Sequence, residues 1–322
     1  MTNDHTVPRM YLRRFGWTRK PGSKQWFVRA RRVDTLDRTF EPNVAKIAAV
    51  TDFYGPKVEK LLCLIEKEAT PAFDAMLEDP RSALPLSWPL PEELRFWMAW
   101  WVAAQIVRTT RQRRRLEHLT SNNTATEMEI PGRIKSLAGR DVHVQFITDQ
   151  LATLSAIIYQ RPWGLGFSDV CLMTSDVPVV ILNGHDDENQ LLAASYWSII
   201  LPLDPHRFLF LPDAHACDED PRKRVDHLVK FDGAIGIALN EVLYAAADER
   251  VFCHQEHDPV EQWRFEGPRL KTPWRPDDST SNPEFMFQYP ALAPRIGIER
   301  RWLTEHPRPR SAQAGDANPP EA

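Results

Sequence analysis

The sequence has few of the motifs that assign a reaction. It contains no glycine-rich nucleotide-binding loop, no Cys-x-x-Cys pair and no Gly-x-Ser-x-Gly nucleophile turn. The first absence disfavours the common phosphate- and dinucleotide-binding folds, the second a zinc ribbon, and the third an α/β-hydrolase nucleophile. The four cysteines are widely separated in 322 residues. This spacing does not fit a disulfide framework and favours reduced thiols, so we expect a cytoplasmic protein.

Long hydrophobic runs and a strong net charge are also missing. No apolar stretch reaches the ~20 residues that cross a bilayer, and the basic, polar N-terminus has no signal-sequence core. We therefore expect no membrane partner. The net charge is only −4, so the charge of the whole chain does not favour nucleic acid. Because 43% of the residues are hydrophobic and 26% are charged, the chain can bury a sizeable core.

The most informative segment is an apolar run from Leu94 to Val107, in which only Arg95 and Gln105 are polar. Pro91 precedes this run and suits the first position of a helix, where no backbone N–H is needed. A helix that is apolar nearly all round is buried. The pattern therefore predicts a long central helix that begins at Pro91 and continues into an arginine-rich segment.

Two polar residues near the end of this run are the first candidates for a functional site. Gln105 and Arg108 are three residues apart and share a helix face. If Arg108 is enclosed, it needs a carboxylate or an anion, because an unpaired buried charge is very costly. Glu66, on the apolar side of a predicted helix from Pro56 to Leu77, is a candidate partner. Alternatively, Arg108 begins the solvated basic end of the helix and Glu66 reaches water.

The order of patterns along the chain predicts an α+β fold. We expect an N-terminal helical part with a long buried central helix, packed on a mixed or antiparallel sheet of short strands from the C-terminal half. The further predicted helices are Asp141–Gln160, Pro221–Val229 and Ala234–Ala247. Short β-rich runs begin near Trp163, and Arg250–His254 is predicted as the last strand. Residues 1–255 are predicted to form one domain, 256–303 a proline-rich extension and 304–322 a disordered tail.

Three other polar residues lie at positions where they could serve a site. Asp176 follows an apolar run and could hold a ligand, although Asp and Pro also build ordinary turns. Asn240 lies among apolar neighbours, so its amide either ties two elements together or contacts a ligand. His5 could act as a general base or be a flexible terminal residue. His254 and His257 are three apart, which is a weak metal signal on its own.

These pieces together resemble the bacterial family catalogued as domain of unknown function 4238. The residues that carry the resemblance are His5, Pro8, Tyr11, Leu12, Phe15, Phe53, Tyr54, Glu66, Arg108, Thr109, Thr174–Asp176, Pro178, Leu201–Pro205 and Asn240. The resemblance spans residues 4–254 and departs at Asp176-Val-Pro, where Asp-Asn-Pro is expected. It implies a common fold and a set of residues but carries over no activity, and the cofactor stays unknown.

Three hypotheses follow for function. The first is an enzyme that binds a small anionic substrate, bearing a phosphate or carboxylate, through a buried polar cluster. Its candidate catalytic residues are His5, Glu66, Gln105, Arg108, Asp176 and Asn240. The second is a nucleic-acid-binding module, because residues 1–46 carry eleven Lys or Arg against four Asp or Glu and Arg108–Arg115 holds five arginines. The third is a purely structural cluster.

Overall fold

The described long helices lie mainly in the first half of the chain and most of the described strands in the second, so the protein is α+β as predicted. The computed structural model describes residues 3–77, 88–121, 137, 139–182, 198–212, 225–231, 233–263 and 307–309. The helices are α1 (Arg9–Leu12), α2 (Pro56–Met76), α3 (Glu92–Val107), α4 (Thr110–Ser121), α5 (Arg140–Tyr159), α6 (Gly233–Ala246) and α7 (Pro259–Trp263). The strands are β1 (Asn3–His5), β2 (Arg29–Arg32), β3 (Thr35–Phe40), β4 (Ala49–Thr51), β5 (Gly164–Ser168), β6 (Thr174–Ser175), β7 (Val180–Leu182), β8 (Ser198–Asp204), β9 (Arg207–Leu211), β10 (Val225–Phe231), β11 (Arg250–Cys253) and β12 (Pro307–Pro309).

The described strands form three sheets. The largest has the order β12-β10-β5-β9-β8-β7, and its described pairs are antiparallel except for the parallel pair β10 and β5. A second sheet, β3-β2-β11-β6, is antiparallel throughout, and β1 pairs with β4 in a short antiparallel ribbon. The predicted mixed or antiparallel sheet is therefore confirmed. In the second sheet, however, β2 and β3 come from the N-terminal part of the chain and not from the C-terminal half.

Helix α3 lies at the centre of the core and packs between α2 and α5. Its Trp101 is fully buried, with ring centroids 4.9 Å from Phe73 of α2 and 5.3 Å from Tyr11 of α1. Tyr11 extends this contact to the sheets, because its hydroxyl donates to the carbonyl of Pro202 in β8 at 2.7 Å. The aromatic side chains thus join α3 to α1 and α2.

The central helix ends earlier than the sequence predicts. It stops at Val107, and a new helix begins at Thr110. His143 of α5 donates its Nε2 proton to the carbonyl of Val107 at 2.7 Å, and the hydroxyl of Tyr54 donates to the carbonyl of Arg108 at 2.6 Å. Because distant side chains satisfy these two carbonyls, the helix can stop there. The hydroxyl of Thr109 then accepts the N–H of Gln112 and caps α4.

The prediction of a helix at Pro221–Val229 is wrong for the described residues of that segment, because residues 225–231 form strand β10. The run pairs in parallel with β5, from His227 opposite Gly164 to Phe231 opposite Ser168. A short apolar run fits a buried strand as well as a helix, so its periodicity alone does not separate the two.

Most of the predicted extension and tail lies outside the described residues, and the domain boundaries stay a prediction. Three residues of the predicted disordered tail, Pro307–Pro309, instead pair with β10 as strand β12. A strand with two prolines is compatible with this place because β12 lies at the edge of the sheet, where one row of hydrogen bonds is unused.

None of the described helices combines the length and the hydropathy that crossing a bilayer requires.

A buried ion pair ties the start of α3 to the large sheet. Arg95 donates from Nη1 to Asp226 of β10 at 2.5 Å and from Nε to the carbonyl of Tyr159 at 3.0 Å, and Nη2 donates to the carbonyl of Arg161. Its guanidinium also lies 4.1 Å from the ring centroid of Trp163. Asp226 in turn accepts the N–H of Trp163 at 2.8 Å. Both charges are buried and hydrogen-bonded, which makes the pair tolerable inside the core.

We expect Asp226→Asn to lower the free energy of unfolding by about 3–5 kcal/mol, because it leaves the buried positive charge of Arg95 without a counter-charge. Urea denaturation at neutral pH measures the change. The matched control is Asp34→Asn, since Asp34 and its partner Arg32 are both 59% exposed and should contribute little. Equal midpoints for wild type and Asp226→Asn would contradict this prediction.

Candidate functional site

The guanidinium of Arg108 is enclosed at the junction of α3 and α4. Its side chain is 1% exposed. Nη1 donates to Oε1 of Glu66 at 2.6 Å, Nη2 donates to the carbonyl of His5, and Nε lies 3.4 Å from the hydroxyl of Tyr54. Burial would lower the pKa of Arg108, but the contacts with Tyr54 and Glu66 outweigh it, so the pKa is raised and the group stays charged. Arg108 is therefore enclosed and paired with Glu66, rather than solvated.

The structure brings His5, Glu66 and Arg108 together. Glu66 uses Oε1 for Arg108, and its side chain is 21% exposed. The Nε2 atom of His5 lies 3.2 Å from the carbonyl of Ala45. A carbonyl only accepts hydrogen bonds, so Nε2 carries the proton and Nδ1 of the neutral ring presents a lone pair. The pKa of His5 lies below its ordinary value, chiefly because burial disfavours the charged ring.

Two further carboxylates lie close to this group. Asp4 is fully buried and accepts the N–H of Tyr54 through Oδ2 at 2.8 Å, whereas its Oδ1 has no partner in the described part of the chain. Glu59, two turns before Glu66 in α2, likewise has a buried and unpartnered Oε2. The pKa of Glu59 is raised by burial and by the nearby charge of Asp4. The cluster therefore holds a carboxyl group that retains its proton at higher pH than a solvated glutamate does.

Gln105 lies one helical turn before Arg108 and is fully buried. Neither its amide oxygen nor its amide nitrogen has a hydrogen-bond partner within the part of the chain that the structure describes. The indole Nε1 of Trp101, a further turn back on the same face, also lacks one there. Buried polar groups without a protein partner are rare and costly, so this face of α3 needs an explanation.

The structure places Asp176 elsewhere. Its carboxylate accepts the backbone N–H groups of Asp248, Glu249 and Arg250 at 2.7–3.0 Å and so ties the end of β6 to the start of β11. Burial and the charge of Asp248 raise the pKa of Asp176 to about 6. Asp176 accepts no hydrogen bond from Arg108. Its negative charge instead acts on Arg111. Burial lowers the pKa of Arg111 to about 10, and the charges of Asp248 and Asp176 oppose this shift.

Asn240 is also separate from the Arg108 cluster. It is fully buried in α6, where Nδ2 donates to the carbonyl of Cys171 at 2.8 Å and Oδ1 accepts the N–H of Met173 at 2.9 Å. The amide thus closes a clamp on the loop that leads into β6. Of the six predicted site residues, four lie at one end of α3, and Asp176 and Asn240 each bond to backbone in other loops.

The arginine-rich segment is largely engaged within the protein. Arg111 is buried, Arg113 donates to the carbonyl of Phe53, and Arg114 pairs with Asp248. Side chains in these contacts are poorly placed to neutralise phosphates of a nucleic acid. Their arrangement therefore gives no support to the nucleic-acid interpretation.

Sequence reasoning gave no role to Asp4, Glu59 or Tyr54. Glu59 and Glu66 are seven residues apart and so share a helix face, which is a signal that could have found Glu59. Tyr54 was part of the family resemblance, but its bond to the carbonyl of Arg108 depends on where α3 ends. Asp4 gave no local signal, because its contact with Tyr54 joins segments 50 residues apart.

Fold and site define an α+β protein with a buried arginine–carboxylate cluster at the end of its central helix. The chain belongs to the family described as "Protein of unknown function (DUF4238)", which matches residues 3–257. This match confirms the resemblance seen in the sequence. No curated protein and no solved structure matches the chain.

His143, which closes the C-terminal end of α3, gives the fold a pH dependence. Its Nδ1 accepts from Nε of Arg113 at 3.3 Å while Nε2 donates to Val107, so both ring nitrogens fit the neutral form. Burial lowers its pKa from 6.5 to about 3. Below about pH 6.5 the unfolded chain binds a proton at His143, whereas the folded protein keeps this ring neutral until about pH 3. The free energy of unfolding therefore decreases as the pH falls from 6.5 towards 3.

We expect His143→Gln to weaken this dependence, because glutamine does not titrate. Wild type should lose up to about 1.4 kcal/mol of unfolding free energy per pH unit through His143 below its unfolded pKa. Urea denaturation of both proteins at pH values from 7 down to about 4 isolates that part of the slope as a difference. Parallel pH profiles for the two proteins would rule out a neutral, buried His143.

Proposed function

We propose that the protein is an enzyme that performs proton transfer on a small substrate bearing a carboxyl or carboxamide group, bound at the Arg108 cluster. The observation that carries the proposal is the pairing of a fully buried arginine with a partly exposed glutamate, one turn from a buried glutamine whose amide has no protein partner among the described residues. Polar groups held in this way, at a cost to stability, are typical of functional sites.

In this proposal Arg108 positions the reacting groups rather than binding the substrate's charge. One guanidinium contacts the carboxylate of Glu66 and the backbone of His5, so it fixes both relative to α3. Its charge is already balanced by Glu66, which leaves little attraction for a phosphate. This differs from the sequence-based hypothesis, in which Arg108 itself binds the anion.

Gln105 is proposed to orient the substrate. A glutamine amide presents one donor and one acceptor side by side, and its complement is a group with the same pair reversed. A carboxamide or a protonated carboxyl group has that pair. Binding such a group would satisfy both amide atoms of Gln105, which lie in a fully buried position.

Glu66 and His5 are proposed as the proton-transfer groups. Oε1 of Glu66 is held at 2.6 Å by Arg108, which fixes the direction of the second carboxylate oxygen. His5 is neutral with a lone pair on Nδ1, which makes it a second proton acceptor. Glu59, whose pKa is raised, is the carboxyl group suited to donate a proton in the same cluster.

The stability of Gln105→Leu tests the role of the glutamine. If the amide serves a ligand and not the fold, replacing it by leucine removes two unpaired groups and should raise the free energy of unfolding by about 1–2 kcal/mol. The matched control is Asn240→Leu, because that equally buried amide has partners on both atoms and its loss should cost about 2 kcal/mol or more. Destabilisation of Gln105→Leu would show that Gln105 is structural.

The proposed activity is tested with a panel of small carboxylic acids and carboxamides, first by thermal shift and then by mass spectrometry of the stabilising compounds. Wild type should bind and convert at least one of them. Glu66→Gln should keep the thermal shift and lose conversion, while Gln105→Leu should lose the shift itself. Glu68→Gln, which replaces a partly exposed glutamate of the same helix paired with Lys67, is the control and should retain both. Conversion by Glu66→Gln at the wild-type rate would contradict the proposal.

A further inference from the structure

A second group of reactive side chains lies where three loops meet. Cys171 comes from the loop between β5 and β6, His206 from the β8–β9 turn, and His257 from the segment after β11. The Sγ atom of Cys171 is 3.0 Å from Nδ1 of His257, and the ring centroids of His206 and His257 are 4.9 Å apart. One ligand atom from each residue lies within 4.8 Å of the others. None of the three belongs to the Arg108 cluster.

The backbone around the first two residues is fixed by hydrogen bonds. The N–H of Leu172 donates to the carbonyl of Pro205 at 2.7 Å, and the N–H of Ser168 donates to the carbonyl of His206 at 2.8 Å. The loop of Cys171 and the turn of His206 are therefore bound directly to each other. Asn240 adds a second restraint, because its amide holds the carbonyl of Cys171.

The third residue stands on a tight turn. The N–H of His257 donates to the carbonyl of His254 at 3.1 Å, which folds the four residues into a loop. The rings of His254 and His257 are 5.2 Å apart. A His-x-x-His pair is a weak signal in sequence, but here the turn presents His257 to a cysteine and a histidine from two other loops.

We propose that Cys171, His206 and His257 bind one divalent cation of the zinc class, with the fourth coordination position open to water. One thiolate and two imidazoles form a donor set that suits Zn²⁺ or Co²⁺ and not the oxygen-preferring Mg²⁺ or Ca²⁺. Cys171 is buried whereas His206 is exposed, so the ion has a path from solvent. The cation joins the loop after β5, the β8–β9 turn and the end of β11. Asn240 holds the carbonyl of Cys171 and Pro205 accepts the N–H of Leu172, so both fix the backbone that carries the cysteine ligand.

The test uses the full-length chain, freed of metal with a chelator and titrated with Co²⁺. One equivalent should produce the absorption of a thiolate bound to tetrahedral cobalt, and excess Zn²⁺ should remove it. Cys171→Ser should abolish the sulfur-dependent band. His206→Ala should weaken binding by more than about 100-fold, since losing even an outer-shell partner costs about 10–100-fold. Calorimetric titration with Zn²⁺ measures the dissociation constants.

Two controls keep the result specific. Cys63→Ser removes an exposed thiol of α2, and this variant should bind Co²⁺ as the wild type does. Circular dichroism of each variant separates loss of the site from loss of the fold, and the near-isosteric Cys171→Ser serves if His206→Ala does not fold. Absence of a sulfur band in the wild type, or an unchanged band in Cys171→Ser, would overturn the assignment. His254→Ala should keep the band, and its loss would overturn the three-ligand set.

Discussion

The central helix carries a buried arginine near each end, and each positive charge must be neutralised by an acidic residue from another part of the chain. Arg95 and Arg108 are thirteen residues apart, which is about 20 Å along a helix. Asp226 of β10 neutralises the first, and Glu66 of α2 neutralises the second. An unpaired charge at either place would cost several kcal/mol. The two pairs therefore fix α3 relative to the large sheet at one end and to α2 at the other.

The two pairs differ in what surrounds them. Arg95 donates to Asp226 of β10 and to the carbonyls of Tyr159 and Arg161 around the end of α5, and both charges of the pair are almost fully enclosed. Arg108 instead collects partners from three segments, while its glutamate remains 21% exposed. The first arrangement only stabilises the fold. The second leaves a carboxylate that is held in place and reachable, which is what acid–base chemistry requires.

How much of this could be predicted depends on how local each signal is. The phase of Glu66 within the apolar arc of α2 was enough to suggest it as the partner of Arg108, because helical periodicity is a short-range property. Asp226 could not be found in this way, since its segment resembles a helix in isolation and becomes β10 only by pairing with β5. The end of α3 at Val107 depends on His143 and Tyr54, which are far away in sequence. Such contacts follow from the packed fold and not from any local pattern.

Two fully buried amide side chains, Asn240 and Gln105, differ in whether the fold satisfies their hydrogen bonds. Asn240 has both amide atoms hydrogen-bonded to the backbone of one loop, so its burial leaves no polar atom unsatisfied. These bonds also hold Cys171 in position. Gln105 has neither atom bonded within the described residues, although it is equally buried. A sequence selected for stability alone would place an apolar residue there, since an unpaired amide costs about 1–3 kcal/mol per group. The presence of a glutamine beside Arg108 and Glu66 therefore favours a partner that is not part of the fold.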